Sequence, residues 1–192
     1  MYNAVVRNFQ VREDDYLEFK KKKIMRKMTK TRIKNIGLYY LKRFETSVAN
    51  LRGVLQRRVN DYAYHNIEFN KREAYDWVEE VLSDFKDKGY LDDARYSEMK
   101  IKSYISAGKS IRYIHGKLRE KGIDEDLIES LIDDCDFNPF DAAMKLARKK
   151  RIGPYCTNET IRKERYSKDL AVLVRAGFDY AVAIKVLESE ID

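Results

Sequence analysis

The chain has 192 residues, of which 44% are hydrophobic and 37% are charged, with eight glycines and two prolines. This composition favours many solvated amphipathic helices over a sheet buried on both faces, in one elongated domain or two small ones. No apolar run approaches the roughly 18 residues that span a bilayer, and no signal peptide opens the sequence. Cys135 and Cys156 fit reduced thiols better than a disulfide framework, so we expect a cytoplasmic protein.

The net charge of +7 lies in the first part of the chain. Residues 1–34 hold eleven basic and four acidic side chains, whereas residues 35–192 hold 28 of each. A basic arm over residues 1–30 would be attracted to polyanions with a salt-sensitive affinity, or it is a solvated tail that only aids solubility. The basic residues at the centre of this arm are Lys20, Lys21, Lys22, Lys23, Arg26 and Lys27.

From about Thr31, apolar residues recur at three- and four-residue steps, which predicts helices almost throughout. After the first helix, Thr46-Ser47 supplies a polar cap for a second one. Residues 60–70 lose the helical rhythm, so they are predicted to form a polar, aromatic loop. A third helix is expected over residues 71–88.

The string GYLDDARY, which begins at Gly89, has the residues of a connection between two helices. Gly89 can end one helix in the left-handed conformation, and Asp92 can cap the next. Leu91 and Tyr96 then occupy the two positions of a hydrophobic staple, and Asp93 places a negative charge at the helix start. These structural roles account for both aspartates, so neither metal binding nor catalysis is needed to explain them.

Six further helices are predicted beyond this string, each begun by a polar cap or ended by a glycine. They cover residues 93–106, residues 111–121 after Ser110, a short helix after Asp124, a helix after Asn138-Pro139, residues 158–177, and a last helix after Asp179.

The sequence repeats itself with two different offsets. Residues 51–59 resemble residues 114–122, an offset of 63, and residues 122–131 resemble residues 177–186, an offset of 55. Each unit would be three short helices that cannot bury their apolar faces alone, so stacked units predict an elongated, curved, all-α body. The units also look like helix-turn-helix motifs, but the second helices are acidic, which argues against reading a DNA groove.

Several motifs in the right order resemble the RecX family of bacterial regulators of the recombinase RecA. The likeness covers roughly residues 31–187, but residues 60–70 are longer than the usual turn, and the arm matches nothing known in the family. The motifs are YYLKRF at 39–44 with 51–59, GYLDDARY, KLREKGI at 117–123, and residues 142–150 with 162–178.

The resemblance implies a cytoplasmic, all-α modulator built of three tandem three-helix repeats. Family members bind in the groove of the RecA–DNA filament and restrain ATP hydrolysis, strand exchange and coprotease activity. The expected divisions are a basic arm at 1–30 and repeats at 31–88, 89–137 and 138–192. No catalytic residue and no cofactor carry over, and a monomer is expected.

Basic residues concentrate on the middle helices and on the loop before the long helix, where they would form a concave surface. This surface would contact filament DNA, single- or double-stranded, through its phosphates, or acidic filament residues. The alternatives are a non-specific DNA-binding protein without a recombinase partner and an adaptor that binds only protein. The candidate residues are Arg112, Lys117, Arg119, Arg148, Lys149, Lys150, Arg151, Arg162, Lys163, Arg165 and Lys168.

Other chemistry has little support in the sequence. The two histidines, His65 and His115, have no cysteine or histidine at metal-ligand spacing, and residues 133–136 lack the order of a calcium loop. There is no phosphate-binding glycine motif and no marked nucleophile, so we expect neither an enzyme nor a metal site. The acidic block at 124–136 either faces protein subunits or keeps that end soluble.

Overall fold

The computed structural model describes residues 26–190, which form nine α-helices and one 3₁₀ turn. The predicted all-α class is therefore confirmed for this part of the chain. None of these helices is both long enough and apolar enough to cross a membrane. The helices are α1 (Lys30–Leu41), α2 (Val48–His65), α3 (Lys71–Asp87), α4 (Asp93–Ser106), α5 (Ile111–Glu120), α6 (Glu125–Asp133), α7 (Pro139–Lys150), α8 (Glu159–Arg175) and α9 (Tyr180–Glu188), with the 3₁₀ turn at Gly153–Tyr155.

The helices bury their apolar faces in three successive cores. Helices α1, α2 and α3 enclose the first core, around Leu55 and Phe85. Helices α4, α5 and α6 enclose the second core, around Ile114 and Ile128, and α7, α8 and α9 enclose the third, around Leu173. The arrangement is a tandem array of three-helix units, while the repeat boundaries at 31–88, 89–137 and 138–192 stay a prediction. Met28, inside the segment assigned to the arm, is buried in the first core.

Most of the helices begin where a short polar side chain accepts a hydrogen bond from the first turn. The predicted caps Ser47, Asp92, Ser110 and Asn138 all make such bonds. Asp179 occupies the same position before α9, but its carboxylate makes no capping bond. Local sequence therefore sets most helix starts.

The predicted loop at residues 60–70 is wrong over its first half. Helix α2 continues through it to His65, and Tyr62 is buried, with its ring 4.8 Å edge-on from Phe69. The helix continues because Tyr62 extends the buried stripe of Leu55 and Val59, while the intervening polar residues face solvent.

The GYLDDARY connection has the predicted turn but a different role for its second aspartate. Gly89 is left-handed (φ 69°), and the Asp92 carboxylate accepts from the Arg95 N–H at 2.9 Å. Asp93, however, accepts from the Val48 N–H at 2.9 Å, so it caps helix α2 of the preceding unit. Burial raises the pKa of Asp93, and the bond from Val48 opposes that rise. Leu91 is buried in the first core, at the boundary between the units.

A buried serine joins each unit to the next. Ser47 caps α2 and also donates its hydroxyl hydrogen to the Lys121 carbonyl at the end of α5, at 2.6 Å. Ser110 caps α5 and donates to the Ala176 carbonyl at the end of α8, at 2.7 Å. The middle helices α2, α5 and α8 therefore meet end to end, the positive end of each facing the negative end of the next.

A left-handed glycine completes each serine junction. Gly122 (φ 68°) follows α5 and Gly177 (φ 92°) follows α8. A Cβ at Gly122 would lie 2.4 Å from the Ala49 Cβ, and one at Gly177 would lie 2.6 Å from the Ser110 Oγ. No larger residue fits either place, so the glycines let the helix ends meet.

Replacing Ser110 by alanine tests the junction. Ser110→Ala removes a cap and leaves the partly buried Ala176 carbonyl without its donor, so we expect it to destabilise the fold by about 1–3 kcal/mol in urea unfolding. Ser103→Ala, on the exposed surface of α4, is the control and should change the unfolding free energy by less than about 0.5 kcal/mol. Equal effects of the two substitutions would contradict the junction's role.

Candidate nucleic-acid interface

Some of the cations around the first core are neutralised by ion pairs. Arg52 binds Glu79 at 2.8 Å, and Lys34 and Lys88 both pair with Asp84. Hydrogen bonds from Lys88 and Lys34 hold the pKa of Asp84 below its usual value. Cations paired in this way are poorly available to an external anion.

The predicted basic residues of α5 have different surroundings. Arg112 and Arg119 are exposed, and no carboxylate of residues 26–190 pairs with either. Lys117 forms an ion pair with Glu120 at 2.7 Å, whose hydrogen bond raises the pKa of Lys117. Of the three, the two arginines are available for external contacts.

The end of α7 carries four consecutive exposed cations, Arg148, Lys149, Lys150 and Arg151. Within the described part of the chain none of them has an ion-pair partner. Arg151 is also left-handed (φ 55°, ψ 48°), in a position where α4, α5 and α8 are each followed by glycine. A side chain there costs about 1 kcal/mol relative to glycine. Backbone strain of this kind favours a functional role for the Arg151 side chain over a role in stabilising the fold.

The predicted residues of α8 are mostly committed within the chain. Arg162 donates to the Leu187 carbonyl at 2.6 Å, so it holds the end of α9. Lys163 pairs with Glu159 at 2.8 Å, and Arg165 lies 3.7 Å from the buried carboxylate of Asp169. Lys168 is exposed, and no carboxylate in the described range is paired with it.

The predicted basic arm lies mainly outside the described residues, because Lys20, Lys21, Lys22 and Lys23 precede residue 26. Arg26 and Lys27 are described, and both are exposed.

The structure also assembles a basic cluster around Tyr113 that sequence reasoning missed in part. The Lys109 ammonium lies 4.6 Å and the Lys117 ammonium 5.8 Å from the centre of the Tyr113 ring. Arg112 and Arg175 line, together with Tyr113, a shallow depression of about 450 Å³ where α5 meets α8. The alternation of basic residues with an aromatic one in KSIRYIHGK was the available signal; Arg175 could not be found because it is distant in sequence.

Metal binding finds no support within residues 26–190, where no three histidine, cysteine, aspartate or glutamate side chains gather. Both histidines have local partners: His65 Nδ1 lies 2.9 Å from the Asp61 carbonyl, and His115 Nε2 lies 2.7 Å from a Glu125 oxygen.

Fold and surface together define a tandem three-helix protein with exposed, unpaired cations on each of its described units. A family model described as "RecX, second three-helix domain" matches residues 92–132. The regulatory protein RecX of Myxococcus xanthus is 38% identical over 167 residues, which cover 85% of this chain and 88% of the relative. The regulatory protein RecX of Shewanella oneidensis is 29% identical over 119 residues, covering 56% of this chain and 93% of the relative.

Solved structures agree on the fold. A crystal structure of regulatory protein RecX and one of RecX from Lactobacillus salivarius each match 83% of this chain with a TM-score of 0.59 and 20% identity. They are covered over 72% and 94% of their own lengths. The chain belongs to the RecX family of regulatory proteins. It is therefore a non-enzymatic regulator, as the sequence predicted.

Replacing Arg151 by glycine separates a structural role from a binding role. We expect Arg151→Gly to raise the free energy of unfolding by about 1 kcal/mol, because glycine adopts the left-handed conformation without strain. The same variant should bind single-stranded DNA more weakly, with the slope of log affinity against log salt reduced by about 0.7.

Arg148→Ala is the matched control, since it removes one charge from the same helix end without touching the left-handed position. It should weaken DNA binding without the gain in stability. Unchanged DNA affinity in Arg151→Gly would remove this residue from the interface.

Proposed function

We propose that this chain is a modulator, mainly an inhibitor, of the recombinase RecA. It binds the RecA–DNA filament in the cytoplasm, as a monomer, and restrains ATP hydrolysis, strand exchange and coprotease activity during DNA repair and the SOS response. The observation that carries the proposal is the 38% identity to a RecX protein across 85% of the chain, because it covers all three helical units rather than one domain.

The end-to-end middle helices suit an extended partner. Helices α2, α5 and α8 contain 18, 10 and 17 residues. At 1.5 Å per residue, they offer a row of up to about 68 Å. A row of this length would contact several subunits or nucleotides of a filament at once. Several weak contacts made at the same time give a high overall affinity.

The charges of the row favour phosphate contacts without base reading. Arg112 and Arg119 on α5, Lys168 on α8 and the four cations that end α7 are exposed. Long basic side chains on exposed helix surfaces position a protein on a phosphate backbone but carry no sequence information. A regulator that must act along any filament sequence needs this kind of contact.

The acidic helix α6 lies next to this surface. Glu125, Asp126, Glu129 and Asp133 are exposed on it, so a DNA strand would be repelled from that side. We propose that α6 faces the protein subunits or solvent while the basic surface faces DNA. This division gives the molecule one orientation relative to the filament.

The test is RecA's ATP hydrolysis on single-stranded DNA, titrated with this protein at near-physiological salt. We expect inhibition at protein concentrations well below those needed to coat the DNA, because the protein acts on the filament. A helicase whose ATP hydrolysis depends on the same DNA is the control and should stay active over that range.

Equal inhibition of RecA and of the helicase would mean that the protein merely masks DNA, as a non-specific binder does. No inhibition of either enzyme together with no DNA binding would point to an adaptor that binds only protein. Either result would contradict the proposed function.

A further inference from the structure

The two serine junctions share the same hydrogen-bond and glycine pattern but differ in the charged residues around it. In the α2–α5 junction, Ser47 meets Lys121 and Gly122, and in the α5–α8 junction, Ser110 meets Ala176 and Gly177. The offsets of 63 and 55 therefore match each residue of one junction to a residue of the other. This internal comparison separates what the junction needs for folding from what was added to it.

Four cations and an aromatic ring at the α5–α8 junction have no basic or aromatic residue at the matching positions of the α2–α5 junction. At the α5–α8 junction, the residues are Lys109, Arg112, Tyr113, Lys117 and Arg175. At the α2–α5 junction, the matching residues are Thr46, Ala49, Asn50, Val54 and Glu120. The α2–α5 junction has cations of its own, Arg119 and Lys121, which match Val174 and Ala176. Because the α2–α5 junction forms without these cations, the fold does not require them. They concentrate like charge, which by itself destabilises a surface.

Of the cations around Tyr113, Lys109, Arg112 and Arg175 have no ion-pair partner within the described residues, whereas Lys117 is paired with Glu120. An ammonium over an aromatic ring is attracted to the ring's quadrupole and keeps its charge. The Tyr104 ring braces Tyr113 edge-on at 5.5 Å. Glu120 pairs with Lys117, but none of the six residues that line the depression is acidic: Arg112, Tyr113, Val174, Arg175, Ala176 and Gly177.

We propose that the α5–α8 junction is a binding site for the phosphodiester backbone of DNA. Arg112 offers a planar fork of donors that matches phosphate oxygens, and Arg175, whose Nε donates to the Ala171 carbonyl at 3.1 Å, offers its two terminal nitrogens. Lys109 and Lys117 add positive charge next to the Tyr113 ring, which lines the depression. Tyr113 is a positioning residue in this site. The proposal rests on the proposed function only in taking DNA as the partner, and it names where that contact lies.

The site also joins two units of the protein. Arg112 belongs to the first turn of α5 and Arg175 to the last turn of α8, so one phosphate group would bridge the second and third cores. A ligand that binds only the folded state stabilises it by an amount that grows with the logarithm of the ratio of ligand concentration to dissociation constant. DNA binding at this site should therefore further stabilise the α5–α8 junction, which the hydrogen bonds of Ser110 already hold together.

The experiment gives the α5–α8 junction the residues of the other junction. The double variant Arg112→Ala with Arg175→Glu copies Ala49 and Glu120, which the same backbone accommodates. Binding of the full chain to a fluorescein-labelled oligothymidylate is followed by anisotropy over a range of salt concentrations. The control, Arg72→Ala with Lys86→Glu on exposed positions of α3, changes the net charge equally.

We expect the junction variant to bind roughly tenfold more weakly, with its salt slope reduced by about 1.4, the loss of two phosphate contacts. The control pair should keep nearly the original affinity. Tyr113→Asn, which copies Asn50, should weaken DNA binding by a smaller factor. Tyr113→Phe should leave the affinity unchanged, because the phenyl ring still holds the ammonium groups. Circular dichroism and urea unfolding establish that each variant is folded.

Unchanged affinity in the junction variant, or an equal loss in the control, would overturn the proposal. So would competition by polyglutamate as strong as competition by DNA, since the site would then suit acidic protein segments. The proposed function fails separately, when the unaltered chain does not inhibit RecA. A junction variant that loses DNA affinity while the unaltered chain binds DNA but leaves RecA active would support the site and reject that function.

Discussion

A buried serine hydroxyl that serves two helices at once holds this protein together. The Ser47 and Ser110 hydroxyls each accept a hydrogen bond from a backbone N–H of their own helix. Each also donates a hydrogen bond to the carbonyl of the residue that ends a helix of the next unit. One serine side chain therefore pairs two groups that helix ends leave without partners, an N–H of one helix and a carbonyl of another. Alignment of the three middle helices follows from this bond and from the glycines beside it.

The sequence predicted local structure well because local structure depends on neighbouring residues. The polar caps, the glycine stops and the 63- and 55-residue offsets are all visible in the order of residue types. Asp93 was assigned to its own helix, yet it caps Val48, 45 residues earlier. Tyr62 was placed in a loop, because the polar residues around it hid a continuing buried stripe. Contacts distant in the sequence, such as Arg162 with the end of α9, leave no periodic pattern to find.

The same reasoning explains why the candidate interface was predicted only in part. Sequence identifies cations, but it does not identify which of them are already paired. The structure commits Arg162, Lys163 and Arg165 to partners within the chain and leaves Arg112 exposed beside Arg175. The described first unit, residues 26–88, holds 14 basic and nine acidic side chains, residues 89–137 hold eight and 11, and residues 138–190 hold 11 and seven. Net charge therefore does not identify the interface. Family membership indicates a regulatory role, and the position of individual unpaired cations, such as Arg112, is what points to a contact with a polyanion.

The most direct measurement is a site-specific photocrosslink within a RecA filament assembled on single-stranded DNA. A photoreactive benzoylphenylalanine would replace Tyr113 in one sample and the matching Asn50 in another. The account predicts that the group at Tyr113 crosslinks to DNA and that the group at Asn50 does not. Crosslinking to DNA from Asn50 alone, or to RecA alone from both positions, would contradict it.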